Sequence, residues 1–162
     1  MKTAYFFYLA ILVSWTTSES LRAEDESLCV SGETMIATCQ IERNKTTMSI
    51  CAADGDKVVY RSGTPEKLDP VIEFTQASPL TRWVDLGTYT TYFGYRAGEY
   101  AYILGVPEEK YGAIAFFSLT ERNKRLDTID CADNSFGEKR YLSRAIKDID
   151  DEFARANKST LP

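Results

Sequence analysis

The chain has 162 residues, with 19 basic and 24 acidic side chains and no histidine, a length suited to one domain. Without imidazole it has no Ser-His-Asp or Cys-His nucleophile system and no histidine metal ligand. A net charge of −5 is the wrong sign for clustering on nucleic-acid phosphates.

Lys2 followed by the apolar run Ala4–Trp15 and the small residues Thr16, Thr17, Ser18, Ser20 and Ala23 reads as a secretory signal peptide over residues 1–23. The run is short for a membrane span, so no span is expected in the mature chain. Cleavage leaves 17 basic and 23 acidic side chains, a net charge of −6. This charge suits a cationic partner. The expected location is periplasmic or secreted. Residues 24–33 read as a polar leader, 34–131 as a β-barrel domain and 132–162 as a helical tail.

Strands then follow in chain order. TMIATCQI (Thr34–Ile41) ends at a turn through Asn44. The segment Thr46–Gly63 forms a hairpin about Asp54-Gly55, where Gly tolerates positive φ and Asp bonds its own backbone. Met48, Ile50 and Ala52 alternate with Thr47, Ser49 and Cys51, and Val58 and Tyr60 continue the period beyond the turn, placing one face of the hairpin on a core. Gly63–Pro70 is a breaker-rich connection, Val71–Gln76 a fourth strand, and Ala77–Gly87 the longest irregular segment, where binding residues tend to sit. Thr88–Tyr95 and Glu99–Val106 flank Ala97-Gly98 as a second hairpin, followed by Ala113–Leu119 and Arg125–Cys131. Eight strands with short connections predict an all-β fold, a small antiparallel meander barrel or sandwich. In the tail, Ser135 and Glu138 fit a capping box. Leu142, Ile146, Ile149 and Phe153 recur at helical spacing, predicting an amphipathic helix of about four turns.

Four cysteines in an exported chain imply two disulfides. A turn near Arg43-Asn44 sets Cys39 opposite Met48, out of register with Cys51. In a closed barrel the first and last strands adjoin, which pairs Cys39 with Cys131 and leaves Cys29 for Cys51. With no CxxC and no histidine, a zinc site is not expected, and no cofactor is implied.

Glu66, Asp69 and Glu73 cluster in sequence, but in turns and without a cleft-forming motif, so a glycoside hydrolase is the lesser reading beside a solvated surface. No enzyme is expected. Tyr89, Tyr92, Phe93, Tyr95, Tyr100 and Tyr102 crowd one hairpin on both faces, through cross-strand pairing or as a recognition surface. Asn44-Lys45-Thr46 and Asn157-Lys158-Ser159 match the N-glycosylation triplet.

The KTTMSICA strand after Cys39, VVYRSGTPEKLDP beyond a tight turn, and the GTYTTYF…GEYAYILG hairpin closing on Cys131 resemble small bacterial periplasmic proteins. Over Thr34–Cys131 the plan is also similar to the membrane-bound and periplasmic inhibitors of c-type lysozyme. That resemblance implies an eight-stranded barrel with a bridge between early and late strands. It also implies a serine-containing loop, roughly Ser-Gly-x-x-Tyr, that enters the lysozyme cleft. The nearest match is Ala77–Trp83, with Ser78 in the serine's role and Trp83 in the aromatic's; Pro79 replaces the glycine and the spacing is longer. The expected function is therefore non-enzymatic binding of a protein partner, a cationic lysozyme-like hydrolase, through Ser78, Arg82, Trp83, Tyr89 and Tyr92. The alternative is a structural module of the cell envelope whose Leu142–Phe153 stripe docks a partner.

Overall fold

The computed structural model describes residues 27–64, 66–122, 124–132 and 137–156. The expected signal peptide, Ser135 of the capping box and the Asn157 triplet lie outside them.

The alternating segments form strands β1 (Thr34–Ile41), β2 (Thr46–Ala53) and β3 (Lys57–Thr64). β4 (Lys67–Leu68) and β5 (Ile72–Phe74) both pair antiparallel to β3, at its two ends. Gln76 and Ala77 then make a two-residue turn closed by both hydrogen bonds between Thr75 and Ser78, and the chain enters a second sheet. There β6 (Leu80–Asp85), β7 (Thr90–Ala97), β8 (Tyr100–Val106), β9 (Phe116–Glu121) and β10 (Lys124–Asp130) form a meander. Its far edge is β11 (Ile146–Asp148), which runs parallel to β6. A six-residue helix, α1 (Asp151–Ala156), ends the described chain.

The fold is all-β and mostly antiparallel, as expected, but arranged as two sheets on a shared core rather than as eight strands of one meander. Ile36, Met48, Ile50, Val58 and Phe74 of the first sheet meet Leu80, Phe93, Leu104 and Val106 of the second. Tyr95 stacks on Tyr102 at 4.9 Å and contacts Tyr60 at 5.3 Å, so these tyrosines fill the space between the sheets. Burial pushes the Tyr60 hydroxyl up to about 12.

The register placing Cys39 opposite Met48 is observed, and both disulfides are those deduced, Cys39–Cys131 and Cys29–Cys51. Cys131 follows β10, and Ala132 donates its N–H to the Gln40 carbonyl of β1. The first bridge therefore spans the seam between an edge of each sheet.

Three expectations are corrected. The described part of the leader is a strap: Leu28 N–H donates to Ser49 Oγ, Cys29 bonds Cys51, and Glu33 takes a bidentate pair from Arg61. Its cover explains why Thr47, Ser49 and Cys51 are buried although they face away from the core. Ala77–Gly87 contains β6 and is not irregular. The predicted four-turn helix is instead β11 and the short α1. The free edge of β6 pairs the tail as a strand: Leu80 N–H donates to Ala145 O, and Ile149 N–H to Arg82 O.

Candidate functional site

β6 decides where the expected contact residues go. Successive side chains alternate along a strand, so Leu80, Arg82 and Val84 take one face and Thr81, Trp83 and Asp85 the other. Arg82 is buried. Its Nε and Nη2 donate to the two Asp148 carboxylate oxygens at 2.6 and 2.8 Å, and its Nη1 to the carbonyls of Tyr141 and Lys139 at 2.7 and 3.2 Å. Trp83 is also buried, stacked on Tyr92 at 4.8 Å in a cluster that includes Ala154 of α1. Neither Arg82 nor Trp83 offers a contact surface. Arg82 clamps the C-terminal segment onto the sheet and Trp83 roofs it.

Ser78 is exposed, but both its backbone groups are tied to Thr75 in the tight turn. Six residues of β6, about 17 Å at strand rise, separate it from the next turn, where Tyr89 lies. The five expected contact residues thus do not form one surface. Trp83 meets Tyr92, Arg82 and Tyr89 line one pocket, and Ser78 stands alone at the opposite end of β6.

The turn between β6 and β7 is built by one carboxylate. Asp85 Oδ1 accepts from the N–H groups of Gly87 and Thr88 at 2.7 and 3.1 Å and from Arg155 Nη2 at 2.6 Å. Tyr89 N–H donates to the Asp85 carbonyl at 2.7 Å. This geometry holds Tyr89 at a φ of 56°. The left-handed region is unfavourable for a bulky side chain. Lys45, Asp56 and Arg122 adopt it elsewhere, each with a polar side chain in a turn. Tyr89 is the aromatic among them, with 53 % of its surface exposed and Lys110 Nζ 5.7 Å from its ring centre.

The β6–β7 turn, the β8–β9 connection and the segment leaving β11 emerge at the same end of the second sheet, because β6, β8 and β11 run toward it and β7 and β9 away. The exposed large apolar side chains Val84, Leu86, Tyr89, Tyr111 and Leu142 belong to this end, while Ile114 lines a separate pocket with Ile41, Glu42 and Arg43. A pocket of about 350 Å³ opens beneath Tyr89, walled by Val84, Thr91, Leu142, Arg82, Lys139 and Arg140, with Glu108 and Asp148 also lining it. Lys139 Nζ donates to the Pro107 carbonyl at 2.8 Å. Burial, with the charge of Arg140 nearby, lowers its pKa despite the opposing fields of Glu108 and Glu109.

No family model, curated protein or solved structure matches this chain. The site therefore rests on its own geometry.

The carboxylates of the hydrolase alternative are dispersed. Glu73 pairs with Lys57 at 3.2 Å, Asp69 accepts from Ser62 Oγ, and Glu66 is exposed. Cys29, Glu33 and Cys51 come within reach of one ion, but both sulfurs are in the disulfide and the carboxylate is held by Arg61. Sequence reasoning missed Lys110, Tyr111, Lys139 and Arg140; it named Leu142 only as part of a helical stripe and covered Leu86 only within the Ala77–Gly87 segment. A legible signal existed for Leu86 and Tyr111: each is a large apolar residue set beside a turn glycine, where burial is rare.

Proposed function

We propose that this chain is an exported, non-enzymatic binding protein that engages a protein partner through the loop end around Tyr89. The observation carrying this reading is Tyr89 itself. An aromatic ring fixed in a costly backbone conformation, half exposed and braced by the Asp85 turn, contributes contact area while losing little further freedom on binding. Exposed apolar side chains around it and a polar rim match the anatomy of a protein interface. The expected partner is a cationic, lysozyme-like hydrolase. The resemblance in strand and cysteine plan and the acidic net charge support that choice, and the contact surface is placed at Tyr89 rather than at Ser78.

The test is calorimetric titration of the oxidised protein with c-, g- and i-type lysozymes, paired with a lysis assay, for wild type, Tyr89→Asn and Ser78→Ala. Asparagine tolerates the left-handed region, so Tyr89→Asn keeps the melting temperature at or above that of wild type. Binding and inhibition fall at least about tenfold, as for the loss of an interface anchor, while Ser78→Ala binds normally. Loss of binding in Ser78→Ala alone would return the site to the Ser78 turn. Absence of binding to all three lysozymes would remove this partner class.

The tail does not support the envelope-module alternative in its original form. The expected docking stripe is divided, with Ile146 buried and Ile149 packed against the Trp83 cluster, and Leu142 and Phe153 exposed.

A further inference from the structure

The pocket beneath Tyr89 carries an imbalance of charge that its own residues leave uncorrected. Three cations and two carboxylates line it. The Arg82 guanidinium is matched by Asp148, and Glu108 is paired with Lys110 at 3.2 Å. Lys139 gives its ammonium to a carbonyl, which is not a counter-charge. Among the described residues no hydrogen bond or ion pair reaches the Arg140 guanidinium. Glu109 and Glu138 line the neighbouring depression on the other side of Lys139 and Arg140, outside the pocket and beyond ion-pair distance. Of the remaining walls, Val84, Leu142 and the Tyr89 ring are apolar and exposed, and Thr91 is buried. The result is a recess of about 350 Å³ with two cations that are in no ion pair, one presenting a free planar fork.

We propose that this pocket seats an apolar group bearing a carboxylate, with the apolar body against Val84, Leu142 and Tyr89 and the carboxylate on Arg140 and Lys139. Its volume lies at the lower bound of small-ligand sites, enough for one side chain or a short acyl chain. The inference rests on the Tyr89 reading for location, because a partner docked there would supply the group. A chain-terminal apolar residue and a free medium-chain acid share this chemistry.

The experiment is an amide-resolved NMR titration of the oxidised protein with three probes: N-acetylphenylalanine, its uncharged amide, and octanoate. N-acetylphenylalanine should shift the signals of Val84, Thr91 and Leu142, and the amide should bind about tenfold more weakly, the scale of one charge-assisted pair. Arg140→Gln should bring the acid down to the level of the amide while leaving the amide unchanged. Octanoate binding more tightly than N-acetylphenylalanine would assign the site to a free acid, and the reverse order to a peptide terminus. Equal binding of acid and amide, no shifts at these residues, or no effect of Arg140→Gln would overturn the proposal. A lysozyme or other partner lost to Tyr89→Asn but bound normally by Arg140→Gln would sink the pocket inference alone. Probe binding without any partner binding would sink the surface reading alone.

Discussion

Replacing Arg82 by alanine should destabilise the protein by about 2–3 kcal/mol. A hydrogen bond to a charged group contributes about 1.5–3 kcal/mol, and Arg82 makes a bidentate one to Asp148 while capping two carbonyls. Severing a fully buried pair costs about 3–5 kcal/mol because the orphaned charge cannot rehydrate. The Asp148 side chain, however, is 62 % exposed and can rehydrate, so the loss stays near the lower figure. Asp148→Asn should cost about 1 kcal/mol, since it leaves a neutral acceptor but strands the guanidinium. Arg82→Lys should recover the charge but not the planar fork, and so about half the loss. Equilibrium urea unfolding of the four proteins and the Arg82→Ala/Asp148→Asn double variant measures these values and the coupling directly. Hydrogen exchange at the Ile149 amide, which is bonded to the Arg82 carbonyl, should accelerate in parallel. A loss below about 0.5 kcal/mol for Arg82→Ala, the range of an ordinary surface substitution, would refute the clamp and make Arg82 available as a contact residue again.

Removing the Cys39–Cys131 bridge, with a separation of 92 residues, should cost about 4.6 kcal/mol in the chain-entropy model; Cys29–Cys51, at 22, should cost about 3.4. Paired serine variants in urea test the order, and equal or reversed losses would show that the strap or the seam contributes beyond chain entropy. Asp56 is held at about 2 by hydrogen bonds from Ser143 Oγ, the Arg144 side chain and the Arg144 N–H. Its folded pKa lies below its unfolded value, so this contribution is present above about pH 4 and lost as pH falls toward 2. In a pH-resolved melting series, Asp56→Asn should flatten that acid limb; an unchanged limb would exclude Asp56 as its source. At Gly105 an added Cβ would stand 2.4 Å from the Phe116 ring, so Gly105→Ala should destabilise by about 1–3 kcal/mol through overpacking. Phe116→Leu should restore part of that loss in the double variant; absence of rescue would place the strain in the backbone.

The strand pattern was readable because alternation is a local property. Thr34–Ile41 and the hairpin about Asp54-Gly55 appear where period and turn chemistry put them. The disulfides were readable because a turn at Asn44 takes Cys39 out of register with Cys51, and the expected adjacency of the first and last strands then selected Cys131. The tail was misread because Ile146 and Ile149 sit at helical spacing, and the strand β11 forms there only because the free edge of β6 supplies backbone partners. The pocket beneath Tyr89 was not legible at all, since Lys139 and Arg140 lie about 50 residues from Tyr89 along the chain and meet it only when β11 docks. The sequence by itself determined the β class, the hairpin turns and the acidic net charge, all of which follow from neighbours or from counting. Whether Arg82 and Trp83 face solvent, and which end of the sheets gathers the exposed apolar groups, was decided by the tertiary structure. Burial is a property of what packs on a residue, and for Arg82 that covering comes from Lys139, Tyr141 and Asp148, more than fifty residues downstream.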